Sequence, residues 1–193
     1  MPPAFRPGRL AHPAPKVFVA AVQERMTEVA GEVADGILLH PLMTDRYLRE
    51  TILPALDRGL ARAGRSRGDV EVSLALFAVS SEAEREDVRR RIAFYASTPA
   101  YRGVLETHGW GEVGERLHEL SRTDGWDRMP AAVTDEVLEA VAVCGDDGAA
   151  AAEVAWARYG DIVDRVNIHP GERLDLEERA DVVAAFAALG ARV

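Results

Sequence analysis

Two histidines at the ends of short apolar segments are the first candidates for chemistry in this sequence. His40 follows an apolar run and precedes Pro41, and His169 follows a second apolar run and precedes Pro170. If both runs are parallel β-strands, both histidines lie at the carboxyl ends of strands, where ligands gather in folds built from βα units. The alternative interpretation is a histidine that ends a strand and caps the following loop. The sequence leaves both interpretations open.

The usual catalytic signatures are absent from the sequence. There is no dinucleotide-binding glycine motif, no phosphate loop, no His-Glu-x-x-His and no Gly-x-Ser-x-Gly. The five histidines lack the spacing of metal ligands, and the single cysteine, Cys144, excludes a cysteine-rich zinc site. We interpret Cys144 as a small core residue rather than a nucleophile. The sequence therefore predicts no metal site and assigns no catalytic residue.

Composition restricts the classes of partner. A chain of 193 residues with 48% hydrophobic content can bury one ordinary core. Its net charge of −9, from 32 acidic and 23 basic side chains, argues against nucleic acid and anionic membranes as partners. No apolar run approaches the roughly 20 residues that span a bilayer, and none matches the core of a signal peptide. We expect a soluble, cytoplasmic protein.

Strand and helix patterns alternate along the chain and position these residues. Apolar runs bounded by proline, glycine or charged turns predict four strands, and helical spacing predicts a helix after each of them. Thr44 can cap the second helix, Pro54 should kink it, and Ser81 with Glu84 forms a capping box for the third. The predicted strands cover residues 17–22, 36–40, 70–80 and 163–168, and the first and last helices cover residues 24–34 and 174–189.

The rest of the chain falls into an arm and an insertion. Residues 1–16, which are rich in proline, are predicted to be an N-terminal arm or loop. Residues 98–160 form a helical insertion before the last strand, with helical patterns at residues 111–121, 134–143 and 149–159. Parallel strands need crossover helices, and continuous apolar runs need two buried faces. We therefore predict an α/β domain over residues 17–193, with about four parallel strands in an open sheet or half a barrel.

Two sets of motifs occur in a specific order and spacing along the chain. The first set comprises residues 17–22, Arg25-Met26, residues 30–36, His40-Pro41 and residues 46–50, and the second comprises residues 92–101, 108–111 and 135–138. The first set resembles the luciferase-like oxidoreductases, which include the luciferase-like monooxygenases. The second set is similar to the branch of that family that uses the deazaflavin coenzyme F420.

This resemblance implies an eight-stranded TIM-type βα barrel that transfers hydride between a small-molecule substrate and a deazaflavin. FMN is the alternative cofactor, and a fragment of the barrel could bind neither. The cofactor lies at the carboxyl ends of the strands in such enzymes. Capping by Thr44 and solvent or ion-pair roles for the two arginines are open alternatives. The cofactor-binding residues that the resemblance implies are Ala20, Ala21, Val22, Arg25, His40, Thr44 and Arg46.

The resemblance covers only the C-terminal half of the family barrel, strands five to eight. Half a barrel exposes two strand edges and an inner face, so we expect a homo-oligomer or a complementing half-barrel chain. Alone, the chain should bind coenzyme weakly and show no turnover. Gln23 and Glu24 replace a glycine and a proline that are common in the family, which opposes binding of a phosphate-bearing cofactor. The alternative function is a non-catalytic accessory or remnant protein.

Overall fold

The computed structural model describes residues 12–169 and 176–190, so most of the predicted N-terminal arm lies outside the described residues. Residues 12–16 are exposed and have no regular structure. The five strands of the described part are β1 (Phe18–Ala21), β2 (Gly36–Leu39), β3 (Glu71–Val79), β4 (Val143–Cys144) and β5 (Arg165–His169). The helices are α1 (Glu24–Val33), α2 (Asp45–Tyr47), a π-helix (Leu48–Ile52), α3 (Leu53–Ala63), α4 (Glu82–Ala96), α5 (Arg102–Thr107), α6 (Gly111–Arg122), α7 (Asp135–Val141), α8 (Gly148–Tyr159) and α9 (Leu176–Gly190).

The strands form one parallel sheet in the order β1-β2-β3, with β5 next to β3. The short strand β4 also pairs with β3, at the carboxyl end of β3. The four predicted strands are confirmed, with shifts of one or two residues at their ends. Each long strand connects to the next through helices, as parallel pairing requires.

Helices cover one face of the sheet and bury the main core there. Register places Ala21, Leu39 and Leu74 in one row, and all three side chains are at most 3% exposed. They pack with side chains of the surrounding helices, including Leu56 of α3 and Tyr159 of α8. This is the arrangement of half a βα barrel, with helices outside and the strands' other face inside.

Part of the inner face of the sheet is open, as expected for half a barrel, although the continuous apolar runs indicated two buried faces. Leu38, on this face, is 43% exposed. Between β3 and β5 the face is polar: Asn167 Nδ2 donates to Ser73 Oγ at 2.7 Å, and Arg165 Nε lies 2.7 Å from Glu71 Oε1. Successive side chains of a strand alternate between the outer core and the inner face, and on β3 the inner face is buried again at Phe77 and Val79.

The insertion forms a second core at the carboxyl ends of the strands. Phe77 and Val79 of β3 pack there against buried side chains of α4, α6 and α7. The predicted insertion helices correspond to α6, α7 and α8, but the pattern at residues 134–143 ends earlier and continues into β4. The short helix α5 was not predicted. The insertion therefore lies over the end of the sheet where ligands were expected.

The second predicted helix contains an irregular turn just before Pro54. The Leu53 N–H donates to the Leu48 carbonyl five residues earlier, which defines the π-helix. A proline ring clashes with the carbonyl four residues before it, and the wider turn accommodates Pro54.

Candidate active-site cluster at the carboxyl ends of the strands

His40 is flanked by aromatic rings of helix α4 and of the insertion. It directly follows β2, and its ring centroid lies 4.4 Å from that of Tyr95 and 4.7 Å from that of Tyr101. The Leu42 N–H donates to His40 Nδ1 at 3.1 Å, so the neutral ring carries its proton on Nε2. Helix α4 and the turn before α5, the latter in the insertion, thus meet the end of β2.

Thr44 and His108 form a second contact between the barrel and the insertion. Thr44 is fully buried, and its hydroxyl accepts from the Tyr47 N–H at 3.1 Å and lies 2.8 Å from His108 Nε2. The His108 ring stacks on Trp110 with a centroid distance of 4.2 Å. Burial, followed by the charge of Arg46, lowers the pKa of His108, which favours its neutral form.

The loop after β1 joins the same cluster. The Val22 carbonyl accepts a hydrogen bond from the Tyr47 hydroxyl at 3.2 Å. Gln23 Nε2 donates to the Ala100 carbonyl at 3.0 Å, one residue before Tyr101. The start of α1 is therefore tied to the turn that places Tyr101 against His40. We refer to His40, Thr44, Tyr95, Tyr101 and His108 as the carboxyl-end cluster.

The first backbone N–H groups of α1 have no acceptor within the helix. Its N-cap, Gln23, makes no side-chain capping bond, and the first N–H bonded back to the Gln23 carbonyl is that of Thr27. The Glu24 carboxylate, expected to repel a phosphate here, pairs with Arg58 Nη2 at 2.6 Å. Free N–H groups at a helix start can bind anions, and the ion pair to Arg58 compensates the opposing charge.

The other residues implied by the family resemblance have different positions. Ala20 lies on the exposed inner face, whereas Ala21 is buried in the outer core. Arg25, in the first turn of α1, is exposed. Arg46 is exposed and pairs with Glu50 at 3.0 Å. The structure brings His40 and Thr44 into the carboxyl-end cluster, with Val22 bonded to its edge through Tyr47.

Three members of the cluster were not singled out as site residues from the sequence. The run of aromatics at residues 92–101 was noted, with a core role favoured over a substrate wall. Tyr95 and Tyr101 of that run are partly exposed around His40. His108 lies 64 residues from Thr44 in sequence, so no local spacing could have connected them. The side chain of His169 lies outside the described residues.

Neither a metal cluster nor a membrane span is evident in the described ranges. Within residues 12–169 and 176–190, no group of three or more His, Cys, Asp or Glu side chains could hold a metal ion. Across the same ranges, no helix has the length and hydropathy needed to cross a bilayer. Burial raises the pKa of the Cys144 thiol, which disfavours the reactive thiolate.

Comparison with known proteins identifies related sequences and structures. The family model described as luciferase-like monooxygenase matches residues 2–163. An uncharacterized protein of Mycobacterium tuberculosis (strain H37Rv), Rv1360, is 49% identical over 151 residues, which cover 75% of this chain and 44% of the relative. A 5,10-methylenetetrahydromethanopterin reductase of Methanolobus tindarius is 27% identical over 67% of this chain and 40% of the relative.

A solved structure has the same fold. The coenzyme F420 dependent tetrahydromethanopterin reductase from Methanopyrus kandleri superimposes with a TM-score of 0.70 at 21% identity. The match covers 88% of this chain and 49% of that structure. The chain thus spans about half the length of the relatives that it matches.

Proposed function

Since the chain belongs to the luciferase-like monooxygenase family, we propose that it is one half of the barrel of a coenzyme F420-dependent oxidoreductase. A complementing half-barrel completes the site, which acts on a small-molecule substrate. The related proteins that support this cofactor include the coenzyme F420 dependent tetrahydromethanopterin reductase from Methanopyrus kandleri and an F420-dependent glucose-6-phosphate dehydrogenase. FMN is the competing cofactor.

The observation that carries the proposal is the carboxyl-end cluster together with the free start of α1. Both lie where ligands bind in βα barrels, beyond the carboxyl ends of parallel strands. The hydrogen bond from Gln23 to Ala100 holds them next to one another. One end of the half-barrel therefore offers an aromatic wall and a group of backbone donors side by side.

The residues at the start of α1 suit the phosphate-bearing tail of such a coenzyme. The unbonded amides of the first turn, next to Val22, supply neutral donors that point along the helix axis. Arg25 adds a positive charge on the same turn, and Arg58 already compensates Glu24. Arg46 can contribute a second charge, whereas the hydroxyl of Thr44 is engaged by Tyr47 and His108. We therefore assign Thr44 a structural role, as the residue that caps the start of α2.

The carboxyl-end cluster suits the ring end of the coenzyme and the substrate. The coenzyme, when bound, supplies the hydride acceptor or donor. His40, with its Nε2 proton, can donate a hydrogen bond, and Tyr95 and Tyr101 fix the orientation of its ring. The three rings also exclude water from their side of the site. The opposite wall must come from the complementing half, because the inner face of this sheet is open.

Titration of the purified chain with coenzyme F420, followed by its fluorescence, tests the proposal, with FMN titrated in parallel. We expect saturable binding of F420 in preference to FMN. Arg25→Ala should weaken F420 binding about tenfold, which corresponds to about 1.4 kcal/mol. Arg116→Ala is the matched control, because Arg116 is an exposed arginine of α6 that pairs only with Glu119 in the described part of the chain.

Three results would count against the proposal: no saturable F420 binding, tighter binding of FMN, or equal effects of the two arginine substitutions. Absence of any flavin or deazaflavin binding would favour the non-catalytic accessory protein instead.

A further inference from the structure

Both ends of the sheet have an unpaired strand edge in the described part of the chain. There, β1 pairs only with β2, and β5 pairs only with β3. The two edge strands run in the same direction and are four and five residues long. Unpaired N–H and C=O groups on such edges favour pairing with another strand.

An exposed apolar stripe flanks the β1 edge. Met26, Val29 and Val33 lie on α1 at helical spacing and are 47%, 42% and 73% exposed. The opposite side of α1 faces α3, where Glu28 pairs with Arg58 and Arg62. A surface helix with an uncharged face of this kind normally packs against another element. We call these three residues the α1 stripe.

An apolar groove flanks the β5 edge. A cavity of about 640 Å³ lies between β5, α8 and α9. Its walls include Trp156, Val166, Val183 and Phe186, and Trp156 and Val183 are 42% and 51% exposed. We call these four residues the β5 groove. The two ends of the half-barrel thus carry a projecting apolar surface and a recessed one.

We propose that a second copy of this chain closes the barrel, with β1 of each copy alongside β5 of the other. The inference rests on the proposed function and names the complementing half. Four long strands from each copy make eight, the number that closes a barrel with a filled interior. A two-fold axis along the barrel keeps all strands parallel. Each junction then places the α1 stripe of one copy beside the β5 groove of the other.

Charge at the amino ends of the edge strands agrees with this pairing. Parallel pairing places the amino ends of β1 and β5 side by side. Lys16, two residues before β1, has a side chain that is 69% exposed and lies 3.9 Å from Glu71. Asp164, one residue before β5, lines the groove, has a side chain that is 46% exposed and pairs with Arg67 at 2.7 Å. Each group keeps enough exposed surface to meet the opposite charge of a second copy, and both apolar surfaces occur on this one chain.

The mass of the purified chain without coenzyme, measured by size exclusion with light scattering, tests the proposal. We expect twice the chain mass of 21.0 kDa. Val33→Glu in the α1 stripe and Val183→Glu in the β5 groove should each give a monomer. Both residues are more than half exposed, so folding should persist, and circular dichroism checks it. Ala61→Glu, on the exposed side of α3, is the control that should remain a dimer.

Mixing the two variants gives the sharpest result. In a mixture of Val33→Glu and Val183→Glu, one junction joins an intact stripe to an intact groove, so a mixed dimer should form where neither variant dimerises alone. If the dimer instead joined the α1 stripes of both copies, mixing would not restore it, because the Val33→Glu copy would still lack an intact stripe.

The proposal is overturned by a monomeric wild type, by larger or undefined assemblies, by a dimer insensitive to both substitutions, or by co-purification of a different half-barrel chain. Because no coenzyme is present, these outcomes are separate from those of the F420 titration. A dimer that binds no F420 contradicts only the proposed cofactor, and a monomer that binds it contradicts only closure by a second copy.

Discussion

The effect of a single charge at the start of α1 depends on its partner. Glu24 lies two residues after the family motif at residues 17–22 and, from the sequence, should repel phosphate. In the structure its carboxylate is held 2.6 Å from Arg58, and Gln23 is bonded to the insertion at 3.0 Å. Both side chains have protein partners, so we expect them to oppose an anion less than the local sequence indicates. The partner of Glu24 lies 34 residues away, which no local pattern reveals.

His108 should make folding stability depend on pH. Burial lowers the pKa of His108 below its ordinary value of about 6.5, so the folded state binds fewer protons than the unfolded state. Its stabilising contribution is complete above the unfolded pKa and is lost as pH falls toward the lower folded pKa. Between about pH 7 and about pH 5.5, the wild type should therefore lose more unfolding free energy than His108→Gln.

Urea unfolding of both proteins at each pH measures this difference. Glutamine retains polar atoms near Thr44 but does not titrate, so it isolates the charge. Parallel pH profiles for the two proteins would refute the assignment to His108.

At the scale of elements, strong local patterns in the sequence predicted the main strands and the start of α4. The apolar runs at β1, β2, β3 and β5 each matched a strand, and Ser81 caps α4 by accepting from the Glu84 N–H. These signals are local, because strand runs and helix caps depend on neighbouring residues.

The weaker elements escaped prediction for physical reasons. Strand β4 has two residues, too few for any alternation, and is stabilised by pairing with Ala78 and Val79. Helix α5 has six residues and no side-chain cap at Tyr101. Which face of the sheet is covered also depends on distant segments. The contacts within the carboxyl-end cluster were also unpredictable, because they join residues that lie far apart in the sequence, such as Thr44 and His108.

Close packing of α1 on α3 gives a prediction about stability. A Cβ atom on Gly59 would lie 2.0 Å from the Glu28 carbonyl oxygen, a backbone atom that cannot rotate away. Gly59→Ala should therefore lower the free energy of unfolding by about 3 kcal/mol, the upper end for overpacking. Gly111→Ala is the control, since nothing lies within 4 Å of its added Cβ.

Urea or thermal unfolding compares the two variants with the wild type. The Gly111 substitution should be neutral or slightly stabilising, because alanine favours helix more than glycine does. Equal stabilities for Gly59→Ala and the wild type would show that α1 and α3 can separate freely.

At the scale of the whole molecule, the half-barrel explains why a site can be present and yet incomplete. The carboxyl-end cluster and the start of α1 form one wall, while Leu38 and the polar pairs of β3 and β5 face an open interior. Hydride transfer requires the reacting carbon to be positioned and shielded from water, and positioning can supply roughly 7–11 kcal/mol of barrier reduction. Under the proposed function, turnover therefore needs a second wall, whichever chain supplies it.

The dissociation constant of coenzyme F420 in each assembly state tests this account most directly. Fluorescence titrations compare wild type, Val33→Glu, Val183→Glu and the mixture of the two variants. Wild type should bind most tightly, each variant alone at least about tenfold more weakly, and the mixture should recover affinity as mixed dimers form. A monomeric Val33→Glu protein that binds F420 as tightly as the wild type would contradict the claim that the site needs a completed barrel.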